Sequence, residues 1–364
     1  MPELILYKNI YQQLYNRYSK NISIRSNLQW QFYNQDNNSV HSFQDYKNNY
    51  RKFVPEIKIE YANNQFGAYQ VIYSLSYAKS IDYPRLGQLV PLVDSSRVYM
   101  LLMANRNLKP YDKHEVSLGL SYHSLKANNP IHYDVNLSGG FINNAIVDSS
   151  IIDKSGRRIH YYVNADGYKY LAMSGSLSKA FEFKENQIQL HINSNVRAYQ
   201  NPSYLNGYYN LSKGIRGSGN VKVNYTLKNW LAINLSQRFS FYTSTQTGLD
   251  NKVFKNKYLL TNLGVNANVT KRLNLGSNIN FNYTSSSGSE AIDFTIWNAT
   301  MGYRLFKRHN GEIKLSVLDI LHENTSIINS GSNNTLTRGT TNVLHNYFML
   351  TFSYFPRKFG ESDN

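Results

Sequence analysis

Apolar and polar residues alternate along most of this chain. From Leu273 to Tyr283 the odd positions Leu273, Leu275, Ile279, Phe281 and Tyr283 are apolar, and the even positions are asparagine or glycine. A strand points successive side chains to opposite faces, so this segment has one greasy face and one wet face. Its length matches the ~9–11 residues that a tilted strand needs to cross a bilayer, against ~5–6 for an ordinary globular strand. In 130–141, Ile131, Tyr133, Val135, Leu137 and Phe141 stand against His132, Asp134, Asn136 and Ser138; in 187–198, Ile188, Leu190, Ile192 and Val196 stand against Gln189, His191, Asn193, Asn195 and Arg197. The pattern predicts strands over 21–33, 53–62, 67–78, 113–125, 130–141, 168–181, 187–198, 216–226, 230–242, 258–269, 273–284, 295–306, 312–321 and 344–355. That is an all-β chain of about fourteen long strands, the pattern of an antiparallel transmembrane β-barrel.

The connections predict a direction. They are short near 63–66, 126–129, 182–186, 227–229, 270–272 and 307–311, and long near 34–52, 79–112, 142–167, 199–215, 243–257, 285–294 and 322–343. Outer-membrane barrels have short periplasmic turns and long extracellular loops. The rhythm therefore places both chain ends on the periplasmic side and makes loops 79–112, 142–167 and 322–343 the candidates for ligand contact. The polar faces, such as Asn262, Gly264, Asn266 and Asn268 opposite Leu263, Val265 and Val269, suit a hydrated or separately plugged lumen. Residues 1–20 read as a lead-in, the remnant of an upstream strand or loop, residues 21–355 as the barrel with its loops, and 356–364 as a tail.

Composition narrows the classes. Only 41% of residues are hydrophobic and mean hydropathy is −0.50. No apolar run of 18 or more exists, which rules out a membrane-spanning helix but not a barrel, whose faces average out. The 31 tyrosines suit membrane interfaces, where an apolar ring and a polar tip are both satisfied; a tyrosine-rich soluble sheet is the competing reading. The absence of cysteine removes disulfides and thiolate metal sites. The net charge of +16 comes from dispersed residues, the densest groups being Lys271-Arg272, Lys307-Arg308 and Arg357-Lys358 in turns or at the end. No RNA-binding motif or basic helix accompanies them, so no nucleic-acid partner is expected. The start, Met-Pro-Glu-Leu-Ile-Leu-Tyr-Lys, lacks the features of a signal peptide, and the chain reads either as a mature form or as the back part of something longer.

Catalytic and metal chemistry find no anchor. The nine histidines show no zinc-ligand spacing, and His132 and His191 read as lumen-wall residues. Gly214, Gly217 and Gly219 lack the strand-to-helix context of a nucleotide loop. Asp148 and Asp153 share a loop without the glycine of a calcium site, and Gly175 has no nucleophile elbow around it. The chain is expected to be no enzyme and to use no cofactor or metal.

Two segments resemble a known family. The loop Ser76-Tyr77-Ala78-Lys79-Ser80-Ile81-Asp82-Tyr83-Pro84-Arg85-Leu86-Gly87-Gln88-Leu89-Val90-Pro91 leads to Ala104-Asn105-Arg106-Asn107-Leu108-Lys109-Pro110. This is similar to TonB-dependent outer-membrane receptors of the Bacteroidetes type, which carry a Pro, a Gln-Leu-x-Pro, then Gly-Asn-Pro-x-Leu-Lys-Pro; Ala104 stands for the Gly and Arg106 for the first Pro. Pro84, Gln88, Leu89, Pro91, Asn105, Leu108, Lys109 and Pro110 carry the loop motif. The C-terminal segments 318–324 and 346–354 resemble that family's last two strands, and the likeness runs across residues 50–360.

The resemblance implies a 22-stranded barrel around an N-terminal plug, with a TonB box, taking up a scarce or large solute such as a siderophore, glycan or peptide. With about fourteen strands, no plug and no TonB box, the chain looks like the C-terminal part of such a barrel. A TonB complex is then a partner only if a plug lies upstream, and gated transport by this chain alone is not expected. Outer-membrane lipid is the expected surroundings. Phe348, Leu350, Phe352 and Tyr354 share the outward face of the last strand with Phe359 beyond them, and general knowledge of the class makes such an end the signal read by the barrel assembly machinery. The alternatives are a self-contained 14-stranded porin-like or secretion-associated barrel and a soluble adhesin-like β protein.

Overall fold

The computed structural model describes residues 3–14, 17–90, 100–126, 130–152, 154–155, 157–249, 251–306, 310–324, 326–332, 335–341 and 345–355. The staves are β1 (Glu3–Leu14), β2 (Tyr18–Asn37), β3 (Tyr46–Gln65), β4 (Tyr69–Asp82), β6 (Tyr111–Ser124), β7 (Ile131–Asn143), β10 (Tyr168–Phe183), β11 (Asn186–Leu205), β12 (Tyr208–Leu227), β13 (Leu231–Gln246), β14 (Lys252–Asn268), β15 (Leu273–Ser286), β16 (Ile292–Leu305), β17 (Gly311–Leu318) and β20 (Tyr347–Tyr354). Each pairs antiparallel with the next in this order. Three more strands, β5 (Met100–Met103), β8 (Ala145–Ile152) and β9 (Arg158–Ala165), join this sheet of 18 strands from the loops, leaving fifteen staves among the described residues. β18 (Ser326–Ser332) and β19 (Thr335–Thr341) form a separate hairpin.

All fourteen predicted strands are present. The fifteenth is β1, in the segment read as a lead-in; it pairs with β2 from Glu3↔Gln29 to Leu14↔Tyr18. Fifteen staves correct the expectation that both ends lie on the periplasmic side. The β1–β2 and β3–β4 turns share the periplasmic end, so β1 starts toward the outside while β20 ends at the periplasm. The two run in the same direction, and no ladder joins them among the described residues. Antiparallel closure of this sheet therefore needs an odd number of further strands between β20 and β1.

The ladder register confirms the two faces. One outward row runs Leu275–Met301–Leu315–Leu350 across four staves. Its exposed apolar side chains, Leu350 at 73% and Met301 at 46% exposure, are what lipid covers in a barrel. Two aromatic bands bound that face. On the periplasmic side Tyr122 and Tyr133 stack at 4.9 Å, and near the outer side His114 and Phe141 stack at 4.8 Å, beside Tyr77. From Tyr133 to Phe141 the strand climbs eight residues, about 27 Å at ~3.4 Å each. A tilt of about 40° leaves roughly 21 Å of height, close to the ~25 Å apolar band of such barrels.

The inner face carries side-chain amides bonded to one another: Asn262 donates to Asn280 at 2.5 Å, and Asn274 to Asn268 at 2.9 Å. His132 contacts Asp134 at 2.8 Å and His191 contacts Ser178 at 3.1 Å on this wall. Gly217 and Gly219 sit on the outer face beneath the Phe241 and Phe239 rings of β13; a Cβ on Gly217 would stand 2.6 Å from Phe241. Ring coverage accounts for these glycines.

The predicted loops 34–52 and 199–215 are mostly strand. β2, β3, β11 and β12 each run 20 residues, about 66 Å at ~3.3 Å per residue and twice what a crossing needs. β11 turns into β12 through Asn206 and Gly207 alone, at φ of 50° and 81°. Asn-Gly is the residue pair that a two-residue hairpin turn with positive φ demands. Beyond the bilayer both faces meet water, so the alternation stops while backbone pairing continues.

Candidate ligand-binding site at the outer mouth

Two of the three candidate loops meet at the mouth. Loop 142–167 is largely the β8–β9 hairpin, paired from Ala145↔Ala165 to Ile152↔Arg158. The hairpin leans on the barrel wall: β8 runs parallel to β11 at Ser149↔Tyr204 and Ser150↔Leu205. Asn206 locks this seam, donating its N–H to the Ser150 carbonyl at 2.8 Å and accepting from the Ile152 N–H at 3.0 Å. On the other side β9 runs parallel to β5 of loop 79–112, Met100–Met103 against Arg158–Tyr161.

The loop motif makes that second contact. Pro84 is fully buried and its carbonyl accepts from Gln35 at 3.1 Å. Helix α1 (Leu86–Leu89) follows, with the Gln88 side chain accepting the Arg85 N–H at 2.9 Å. Asn105 donates its N–H to the Gln88 carbonyl at 2.8 Å and its side-chain amide to the Tyr162 carbonyl at 2.9 Å. Lys109 is held through its backbone, both N–H and C=O bonding the Asn164 side chain at 2.8 and 2.9 Å. Leu89, Val90, Leu108 and Tyr46 form a buried cluster with Ile146 and Tyr162 of the hairpin packed on it. Pro110 is buried beside them. The motif residues thus clamp the hairpin. Pro91 and Phe359 lie outside the described residues.

Segment 318–324 also closes on itself. Asp319, 2% exposed, accepts the N–H groups of Glu323 and Asn324 at 3.1 and 3.3 Å, and the Glu323 carboxylate accepts the Thr295 N–H at 2.8 Å. On β20, Phe348, Leu350, Phe352 and Tyr354 alternate outward at 57–73% exposure. Loop 322–343 carries the β18–β19 hairpin, which stands as its own sheet.

The hairpin and the inner wall enclose a cavity of about 1150 Å³. The hairpin contributes Asp148, Arg158 and His160; β11 to β14 contribute Arg197, Tyr199, Arg216, Tyr242 and Tyr258. Arg197 is fixed: its guanidinium lies 4.0 Å from the Tyr170 ring centre and donates to the Tyr168 hydroxyl at 3.2 Å. Tyr170 donates to Glu115, whose carboxylate pairs with Lys113 at 2.8 Å. Arg216 faces Arg197 directly across the ladder. Burial holds the His160 imidazole below its ordinary value of 6.5, Arg158 adds to this, and Asp148 opposes it. Sequence reasoning placed Arg197 on the polar face of its strand but did not join it to Arg158, Arg216 or His160. Of the carboxylates considered as cation ligands, Asp148 faces these arginines and Asp153 lies outside the described residues. No group of three metal-ligating side chains occurs among the described residues.

No curated protein matches the chain in sequence. Among solved structures, it is similar to the open form of the ferric-catecholate import receptor Fiu from E. coli K12, at 9% identity and a TM-score of 0.38, over 97% of this chain and 79% of that one. The profile of the outer membrane protein beta-barrel family matches residues 5–354, so the chain belongs to that family and its place is the bacterial outer membrane.

Proposed function

We propose that the chain forms the wall and outer mouth of a receptor-type uptake barrel, which captures a large or scarce solute between the β8–β9 hairpin and staves β11–β14. The observation that carries this reading is the inward-leaning hairpin. It is clamped by the family-like motif on one side and by Asn206 on the other, and it roofs a cavity above the ~300–1,000 Å³ range of small-molecule pockets. A passive pore gains nothing from a roofed, polar and aromatic cavity at its mouth. The fifteen staves among the described residues fit within a 22-stranded barrel, which meets the parity requirement with seven more. In this reading TonB coupling belongs to a plug supplied with the remaining staves, and the outward aromatics of β20 are presented to the barrel assembly machinery.

The test removes the roof. A variant with 146–164 replaced by a short Gly-Ser turn should reach the outer membrane at wild-type levels. Mass spectrometry of the spent medium from host cells should then show loss of a solute depletion that the wild-type chain supports. Unchanged depletion with the hairpin gone sinks the uptake role of this site.

A further inference from the structure

We propose that the cavity under the β8–β9 hairpin selects an anionic solute, holding a carboxylate or phosphate group between Arg158, Arg197 and Arg216. This deepens the uptake reading and rests on it. Three guanidinium groups line one cavity against a single lining carboxylate, Asp148. The nearby Glu115 is already engaged by Lys113 and Tyr170. Unpaired, such a cluster is costly, because like charges directly opposite on a ladder repel. Arg197 and Arg216 occupy such a pair.

The donors are also unspent. Among the described residues, the buried Nε atoms of Arg158 and Arg197 and the Nε2 atom of His160 have no hydrogen-bond partner. A buried donor left without an acceptor costs about 1–3 kcal/mol, and a bound oxyanion supplies acceptors in the fork geometry that guanidinium matches. The two wall arginines are backed by rings, Arg197 on Tyr170 at 4.0 Å and Arg216 over Tyr199 at 6.0 Å, which hold them in place without consuming their hydrogens. Tyr168, Tyr199 and Tyr242 line the same cavity beside the arginines. Three of the chain's dispersed cations thus meet at one site.

The protein as extracted from host outer membranes in detergent, its fold checked by heat-modifiable gel mobility, is titrated calorimetrically at low salt with three probes. Trigalacturonate supplies carboxylates, inorganic triphosphate supplies phosphates, and maltotriose is neutral. At least one anionic probe should bind and maltotriose should not; the anion that binds identifies the source of the charge. Arg216→Gln and Arg158→Gln should each weaken the anion about tenfold, the worth of one charge-assisted hydrogen bond. Arg238→Gln, in the separate cavity lower in the lumen, should not. Arg158 lies on the hairpin outside the staves, so its variant does not depend on barrel assembly. Absence of any difference between anionic and neutral probes, whether both bind or neither does, overturns the charge selection. So does anion binding that survives both substitutions. Either result leaves the uptake reading to the hairpin deletion.

Discussion

Arg197 and Arg216 stand directly opposite each other on the lumen face of β11 and β12, but Arg197 is held more firmly, by the Tyr170 ring at 4.0 Å and the Tyr168 hydroxyl at 3.2 Å, against the Tyr199 ring at 6.0 Å for Arg216. The pair is asymmetric, and so are its expected mutational effects. Arg197→Gln loses a cation–π contact and a hydrogen bond and should destabilise the folded chain by about 1 kcal/mol. Arg216→Gln relieves repulsion at little cost and should be neutral or stabilising by up to about 1 kcal/mol. Urea unfolding of the two variants in the same detergent measures the difference; equal losses would contradict the asymmetry.

Leu89 is fully buried where the loop motif meets the hairpin. Leu89→Ala should cost about 2–5 kcal/mol of local stability, the range for a buried leucine. The loss falls on the clamp rather than on the staves. Brief protease treatment should therefore cut within 79–112 or 142–167 in the variant, while the barrel keeps its heat-modifiable mobility. A variant as resistant as wild type would show that the cluster does not hold the hairpin.

His160 should make hairpin docking weaken in acid. Its folded value is held below 6.5 by burial and by Arg158. The folded state therefore favours the neutral ring, and the contribution is present in full above about 6.5. It is lost as pH falls from there toward the depressed folded value, because the undocked imidazole takes up the proton first. Hairpin proteolysis should rise between about pH 7.5 and 5 with an acid-stable protease, and His160→Gln should flatten that rise. A profile unchanged by the substitution would assign the effect to another group.

Met173 faces outward on β10 at 55% exposure, paired with Leu137 midway between the two aromatic bands, while Ser174 faces the lumen one residue on. Met173→Arg places a charge against lipid near the midplane, at about 2–4 kcal/mol. Ser174→Arg meets water and should be tolerated. Recovery from the outer-membrane fraction should fall for the first and hold for the second. The reverse order would invert the assignment of the faces.

Alternation made all fourteen predicted staves legible because each has a local cause, lipid on one side and water on the other. It failed where that contrast ends. Residues 46–52, Tyr-Lys-Asn-Asn-Tyr-Arg-Lys, lie in β3 without periodicity, since above the bilayer neither face needs to be apolar. The Asn206-Gly207 turn was readable from the pair itself and was hidden only by treating 199–215 as loop. The loop motif was visible as residues, but its role was not. Leu89, Asn105, Leu108 and Lys109 act on Ile146, Tyr162 and Asn164, tens of positions away, and such contacts leave no period in the chain.

By itself, then, the amino-acid sequence determined the class of the sheet, its lipid face, its hydrated wall and the direction of nearly every stave, because these depend on each residue's own exposure to lipid or water. The tertiary structure alone decided the fifteenth stave, the inward lean of the β8–β9 hairpin, and the meeting of Arg158, Arg197 and Arg216 over one cavity. Those depend on register and on hydrogen bonds between distant loops, where a shift of a single residue would turn each arginine away from the lumen.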